Sequence, residues 1–240
     1  MILKLVVIAV VAMTAGIVQG VCGFGSGPIN MMFLPLLMPI PQAAGINSVF
    51  CIPSTLTIVL RYKNSFKLKK CCIQTLIYLF VSSATVLLFK NFNGTVLNRI
   101  FGGFLLLLAI YNFFLSNKQL KQWSKWKMIA CFVGAGICSG LFSIGGPLVS
   151  LYYISNSKNK EEYLASTQFV FFWNVIFTTI TRISGGILRK EHIIMMIPGI
   201  LGMLLGVNIA SYFVNKINSE NLKKIIYSAI GISGLGYLLG

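Results

Sequence analysis

Gly16-Ile17-Val18-Gln19-Gly20-Val21-Cys22-Gly23-Phe24-Gly25-Ser26-Gly27-Pro28 recurs in altered form as Gly136-Ile137-Cys138-Ser139-Gly140-Leu141-Phe142-Ser143-Ile144-Gly145-Gly146-Pro147. Gly16, Gly20 and Gly25 align with Gly136, Gly140 and Gly145 without a gap, half a chain length apart. Each copy interrupts an apolar run. A duplicated glycine- and proline-rich break at corresponding places in two halves of a membrane chain points to a transport site.

The surroundings of the motif establish the membrane. The chain has 240 residues, 56% hydrophobic and 10% charged, with mean hydropathy +0.83. A soluble domain of this size is much less apolar and more charged. Apolar runs of about 20 residues, separated by short basic loops, read as spanning helices. The fold class is therefore all-α: a polytopic membrane protein of about eight transmembrane helices plus two short broken or re-entrant pieces. Hydropathy places the long helices near 2–21, 43–62, 71–90, 96–115, 128–143, 163–183, 192–214 and 222–239. The short pieces are near 28–40 and 147–155. Pro28 and Pro147 suit the first turn of a half-helix, where a missing N–H costs nothing. Pro35, Pro39 and Pro41 end the first piece. Ile2 to Gly20 reads as a retained span and not a cleaved signal, because it holds half of the repeated motif.

The duplication extends further. Asn47 aligns with Gln168 and Arg61 with Arg182, so the chain divides into a first membrane repeat (1–116), a basic cytoplasmic linker (117–127) and a second repeat (128–240). The basic loop with Arg61, Lys63, Lys67, Lys69 and Lys70, and the linker with Lys118, Lys121, Lys125 and Lys127, belong on the cytoplasmic side. If the short pieces cross, the repeats are inverted; if they do not, the repeats are parallel.

Net charge is +16, with four acids, Glu161, Glu162, Glu191 and Glu220. In a soluble chain this would suggest nucleic acid. Here loop lysines and arginines set topology and meet anionic lipid, and no nucleic-acid partner is expected. No Asp, Glu or Lys lies in an expected span, which disfavours a cationic substrate and an intramembrane carboxylate relay. There is no phosphate-binding glycine loop with Lys-Ser/Thr and no nucleophile–base constellation. The chain reads as a non-enzyme with no cofactor and no metal. None of the six cysteines shows zinc spacing, and all read as small buried hydrophobes.

Glycine turns followed by helix N-termini make a positive concavity suited to an anion. Two such turns meeting near the bilayer midplane would form one site. The candidate contacts are Gly23, Gly25, Ser26 and Gly27 from the first break, and Ser143, Gly145 and Gly146 from the second. Asn47 and Gln168 stand alongside, either as ligands or as interhelical hydrogen bonds. Gln19, Asn30, Ser139 and Asn174 are further donors. The alternative for Gly16-x-x-x-Gly20 and Gly136-x-x-x-Gly140 is close helix packing. Arg61 and Arg182, at helix ends, are expected to snorkel to the interface. Cys22 and Cys138 sit within the motifs, where a thiol would meet a sulfur substrate or simply pack.

These residues, Gly16-x-x-x-Gly20-x-x-Gly23-Phe24-Gly25-x-Gly27, the second set ending Gly145-Gly146-Pro147, and Asn47 in the next helix, resemble the TauE/SafE (DUF81) group of sulfite-exporter-like permeases over essentially the whole chain. The resemblance implies a bacterial-type, multi-pass inner-membrane permease for a small, often sulfur-containing anion such as sulfite, thiosulfate or sulfoacetate. Ser143-Ile144 stands where Gly23-Phe24 stands in the first copy, so the half-sites are expected to be unequal. A passive anion channel and a cysteine-using membrane enzyme or assembly factor are the competing classes.

Overall fold

The computed structural model describes residues 2–65, 68–92, 94–115, 123–213 and 219–239. Among these, ten α-helices account for the fold, with no strand. Eight are long: α1 (Ile2–Cys22), α3 (Ile40–Arg61), α4 (Leu68–Phe89), α5 (Gly94–Leu115), α6 (Lys125–Phe142), α8 (Lys160–Ser184), α9 (Ile193–Phe213) and α10 (Ser219–Leu239). Two are short, α2 (Ser26–Phe33) and α7 (Gly146–Asn156), each directly after a glycine break. Seven helices are long and apolar enough to cross a membrane, and α10 contributes the apolar stretch Ile226–Leu239. Leucines, isoleucines and phenylalanines such as Leu3, Phe80, Leu88 and Leu107 stand exposed on the outer faces, where lipid is the solvent.

The expected helices are all present, with shifts at their starts. α6 begins at Lys125 because Ser124 caps it, its hydroxyl accepting from the Lys127 N–H at 3.4 Å. α8 begins at Lys160 because Asn159 accepts from the Glu162 N–H at 2.8 Å. Side-chain caps satisfy N–H groups that the helix cannot, so both helices run on into polar sequence. Pro41 does not end the first short piece; it sits in the first turn of α3, after the N-cap Pro39. Lys125 and Lys127 lie on α6, whereas Lys67, Lys118 and Lys121 fall outside the described residues.

Close approaches at small residues fix the helix directions. A Cβ on Gly202 would strike Ala9, one on Gly206 would strike Met13, and one on Gly20 would strike Ala210. The numbers rise together, so α1 and α9 are parallel. Gly136 abuts Val81 and Gly140 abuts Thr85, so α6 and α4 are parallel too. Phe50 lies against Gly199 and Arg61 bonds Asn208, making α3 parallel to α9. Ser82 bonds Asn174, and Leu87 lies near Gly185, making α4 parallel to α8. By contrast Gly102 meets Leu238 while Gly231 meets Ala109, so α5 and α10 are antiparallel.

It follows that α1, α3 and α9 share one direction, and α4, α6 and α8 share another. The short α2, between α1 and α3, must carry the chain back, as must α7 between α6 and α8. Each half of the chain is therefore five helices alternating in direction, of which α2 and α7 are too short to span a bilayer alone. Ser48 on α3 bonds Arg182 on α8, and Cys51 and Thr55 share a cavity wall with Phe171, Asn174 and Val175. The order is reversed, so the corresponding helices α3 and α8 run in opposite senses, like α5 and α10. This is the arrangement of inverted repeats.

Candidate functional site

The two glycine breaks meet. A Cβ on Gly27 would lie 2.6 Å from the Ser143 carbonyl oxygen, and one on Gly146 would lie 3.3 Å from the Phe24 Cβ. Only a residue without a side chain lets α2 pass so near the second break. In the first break Gly23 (φ 77°) and Gly25 (φ 114°) hold conformations that side chains rarely adopt. In the second, Ser143 takes φ 57°, the only non-glycine positive φ among the described residues. Left-handed backbone costs an ordinary residue about 1–2 kcal/mol. Ser143 thus keeps the turn that Gly23 makes and adds a hydroxyl to it. The half-sites share a left-handed turn at Gly23 and Ser143 but differ beyond it: Gly25 is left-handed at φ 114°, whereas its counterpart Gly145 takes φ −95°.

Between the breaks lies a cavity of about 40 Å³. Gly25, Ser26, Gly27, Ser143, Gly145 and Gly146 line it, six of the nine residues expected at the site. Both short helices point their N-termini into it. The N–H groups of Ser26 and Gly27 on α2, and of Gly146 on α7, belong to first turns that have no intrahelical acceptor. The proline of each first turn, Pro28 or Pro147, has no N–H to satisfy. Ser26, Thr55, Tyr78, Ser139 and Asn174 bring hydroxyl and amide groups to the wall, and no acidic residue lines it.

Gly23, Asn47 and Gln168 stand behind the cavity, not on its wall. Gln168 Nε2 donates to the Gly23 carbonyl at 2.7 Å, and Gln168 Oε1 accepts from Gln19 Nε2 at 3.0 Å. Asn47 Nδ2 donates to Ser143 Oγ at 3.1 Å, and Asn47 Oδ1 accepts from Asn30 Nδ2 at 2.8 Å. Both amides are fully buried. Each one holds the break of the opposite half: α3 braces the second break, and α8 braces the first.

Several lining residues carry no sequence signal. Cys51 lies 3.5 Å from Ser26 Oγ through its sulfur, and Phe171 and Tyr78 pack around the cavity. Tyr78 is buried, with its hydroxyl against Gly145. An aromatic or cysteine inside an apolar helix looks like any core residue until the fold places it. Neither Cys22 nor Cys138 lines this cavity; Cys51 does.

Arg182 overturns its expectation. It does not snorkel to the interface: only 1% of its surface is exposed. Nη1 donates to Ser48 Oγ at 3.0 Å, and Nη2 donates to the carbonyls of Ser139 (3.3 Å) and Gly140 (2.9 Å). The carbonyl of Gly140, in the last turn of α6, draws the guanidinium inward, and the Ser139 carbonyl, which also accepts from the Ser143 N–H, shares it. Arg61, its counterpart in the first half, is exposed and bonds Asn208.

No curated protein and no solved structure matches the chain. One family model does, described as "Sulfite exporter TauE/SafE", and it covers residues 8–237. It takes in both glycine breaks, the amides that brace them and all but the outer ends of the first and last helices, and by that match the chain belongs to the sulfite exporter TauE/SafE family.

Proposed function

We propose that this chain is an inner-membrane permease for a small sulfur-containing oxyanion or organosulfonate of the sulfite, thiosulfate and sulfoacetate class. Its site is the cavity between the two glycine breaks, and its working units are two inverted repeats, 1–116 and 128–240, joined by the linker 117–127. The observation that carries this reading is the pair of helix N-termini converging on one cavity lined by hydroxyls and no acid. Partial positive charge at a helix N-terminus stabilises an anion. Neutral donors bind it without the grip of a full charge, so it can leave.

Size narrows the class. About 40 Å³ gives a few water-sized positions, which favours a compact anion such as sulfite in this state. A longer sulfonate would require a wider one. The small volume of the site also favours a carrier over an open channel. Rocking of one repeat against the other, with each break braced from the opposite half, is the proposed alternation.

Uptake of radiolabelled sulfite and thiosulfate into proteoliposomes tests this, with sulfate and chloride as competitors and the potential clamped at two values. The expected result is saturable uptake that responds to potential. Flux that rises linearly with concentration would indicate a channel. No uptake by correctly folded protein would overturn the substrate assignment.

A further inference from the structure

A path leads from the outside of the bundle to Arg182. A wide vestibule of about 770 Å³ opens where α3 and α5 begin and α4 and α8 end, with Lys90 and Arg189 exposed on its wall. It narrows to a neck of about 10 Å³ that shares Pro41, Lys90, Leu97 and Ile187 with the vestibule and has Gly140 and Arg182 at its inner side. From Arg182 two hydrogen bonds reach residues of the central site: Nη2 to the carbonyl of Ser139, and Nη1 to Ser48 Oγ, itself 3.2 Å from Ser143 Oγ. Three positive side chains thus lead inward from vestibule to cavity, and the innermost is buried.

The burial needs an explanation. A guanidinium stays protonated, and a buried charge without a countercharge is strongly unfavourable. Arg182 bonds a hydroxyl and two carbonyls, all neutral. Glu161 and Glu162 lie in the first turn of the same helix, about 30 Å away at 1.5 Å per residue. A guanidinium has five N–H groups; three protein bonds leave two for another partner.

We propose that Arg182 is an anion-binding station at the neck, where a compact inorganic anion supplies the countercharge that none of the described acidic side chains provides. The neck, of about 10 Å³, holds no more than a group about the size of one water; a monatomic anion such as chloride enters with slight widening, and an oxyanion passing inward displaces it and opens the neck further. The proposal deepens the permease reading and rests on it for the direction of travel, while the binding itself does not depend on transport.

The test is binding by purified wild-type protein in detergent. Thermal unfolding is followed against chloride or sulfite concentration, with gluconate holding ionic strength constant. The midpoint is expected to rise with chloride and with sulfite. Arg182→Gln should weaken the chloride response at least tenfold and, in gluconate, unfold no earlier than wild type, since it removes an uncompensated charge. Arg182→Lys should keep part of the response. An unchanged chloride response in Arg182→Gln would overturn the proposal. Should that variant fail to fold, bromide soaked into crystals of the wild type decides: an anomalous peak beside the guanidinium supports the station, and its absence refutes it. A permease that transports sulfite yet binds no halide here would fail this proposal alone.

Discussion

At the residue scale, the breaks depend on backbone that few side chains permit and on two amides that hold it. At Gly25, φ is 114° and an added Cβ would sit 2.8 Å from Val18 Cγ1. Gly25→Val is therefore expected to abolish transport while the protein still inserts, read by uptake alongside a membrane-fraction immunoblot. Gly145→Val should do the same through a different cause: its Cβ would meet the buried Tyr78 hydroxyl and the Ala135 carbonyl. Wild-type uptake in both would sink the proposed site. Gln168→Leu strips the Gly23 carbonyl of its donor, and a buried acceptor left unpaired costs about 1–3 kcal/mol. Its unfolding midpoint should fall accordingly, with slowed uptake, while Cys22→Ser combined with Cys138→Ser leaves uptake intact.

At the element scale, small residues let long helices touch backbone to backbone. α1 and α9 close on Gly16, Gly20, Gly202 and Gly206, and a methyl on Gly206 would collide with the Met13 carbonyl. Gly103 on α5 faces open space. Gly206→Ala should lower the thermal midpoint by several degrees, whereas Gly103→Ala should leave it unchanged or slightly raised, as helix propensity dictates. Equal behaviour of the two would show that the seam contributes nothing. Much of this level was legible in sequence. Hydropathy located every helix, and the paired glycines located both breaks. The helix starts at Lys125 and Lys160 shifted because caps act through one side chain, below the resolution of an averaged hydropathy window. Asn47 and Gln168 were recognisable as a matched pair, but only the fold could say that each reaches across to the other half's break. Arg182 defeated a rule about where charges sit on isolated helices, since its destination is set by carbonyls of a neighbouring helix.

At the scale of the whole molecule, helix directions join with the loop charges. With the loop after α3 on the cytoplasmic side, the vestibule of Lys90 and Arg189 opens on the opposite face. A second hollow, lined by Lys158, Asn159 and Lys160, opens on the cytoplasmic one. In a Cys72→Ser background, Asn98→Cys should react with an impermeant thiol reagent added outside intact cells, and Ser157→Cys only in inside-out vesicles. Labelling of both from one side would refute the alternation of helix directions.

The crossed bracing has a consequence for inheritance. Asn47 serves Ser143, and Gln168 serves Gly23 while pairing with Gln19. Neither half carries both members of its own brace, so drift in one half must be answered in the other. Positions 19 and 168, and positions 47 and 143, are therefore expected to vary together among related sequences despite lying far apart in the gene. A lineage that split the gene in two would have to keep both products.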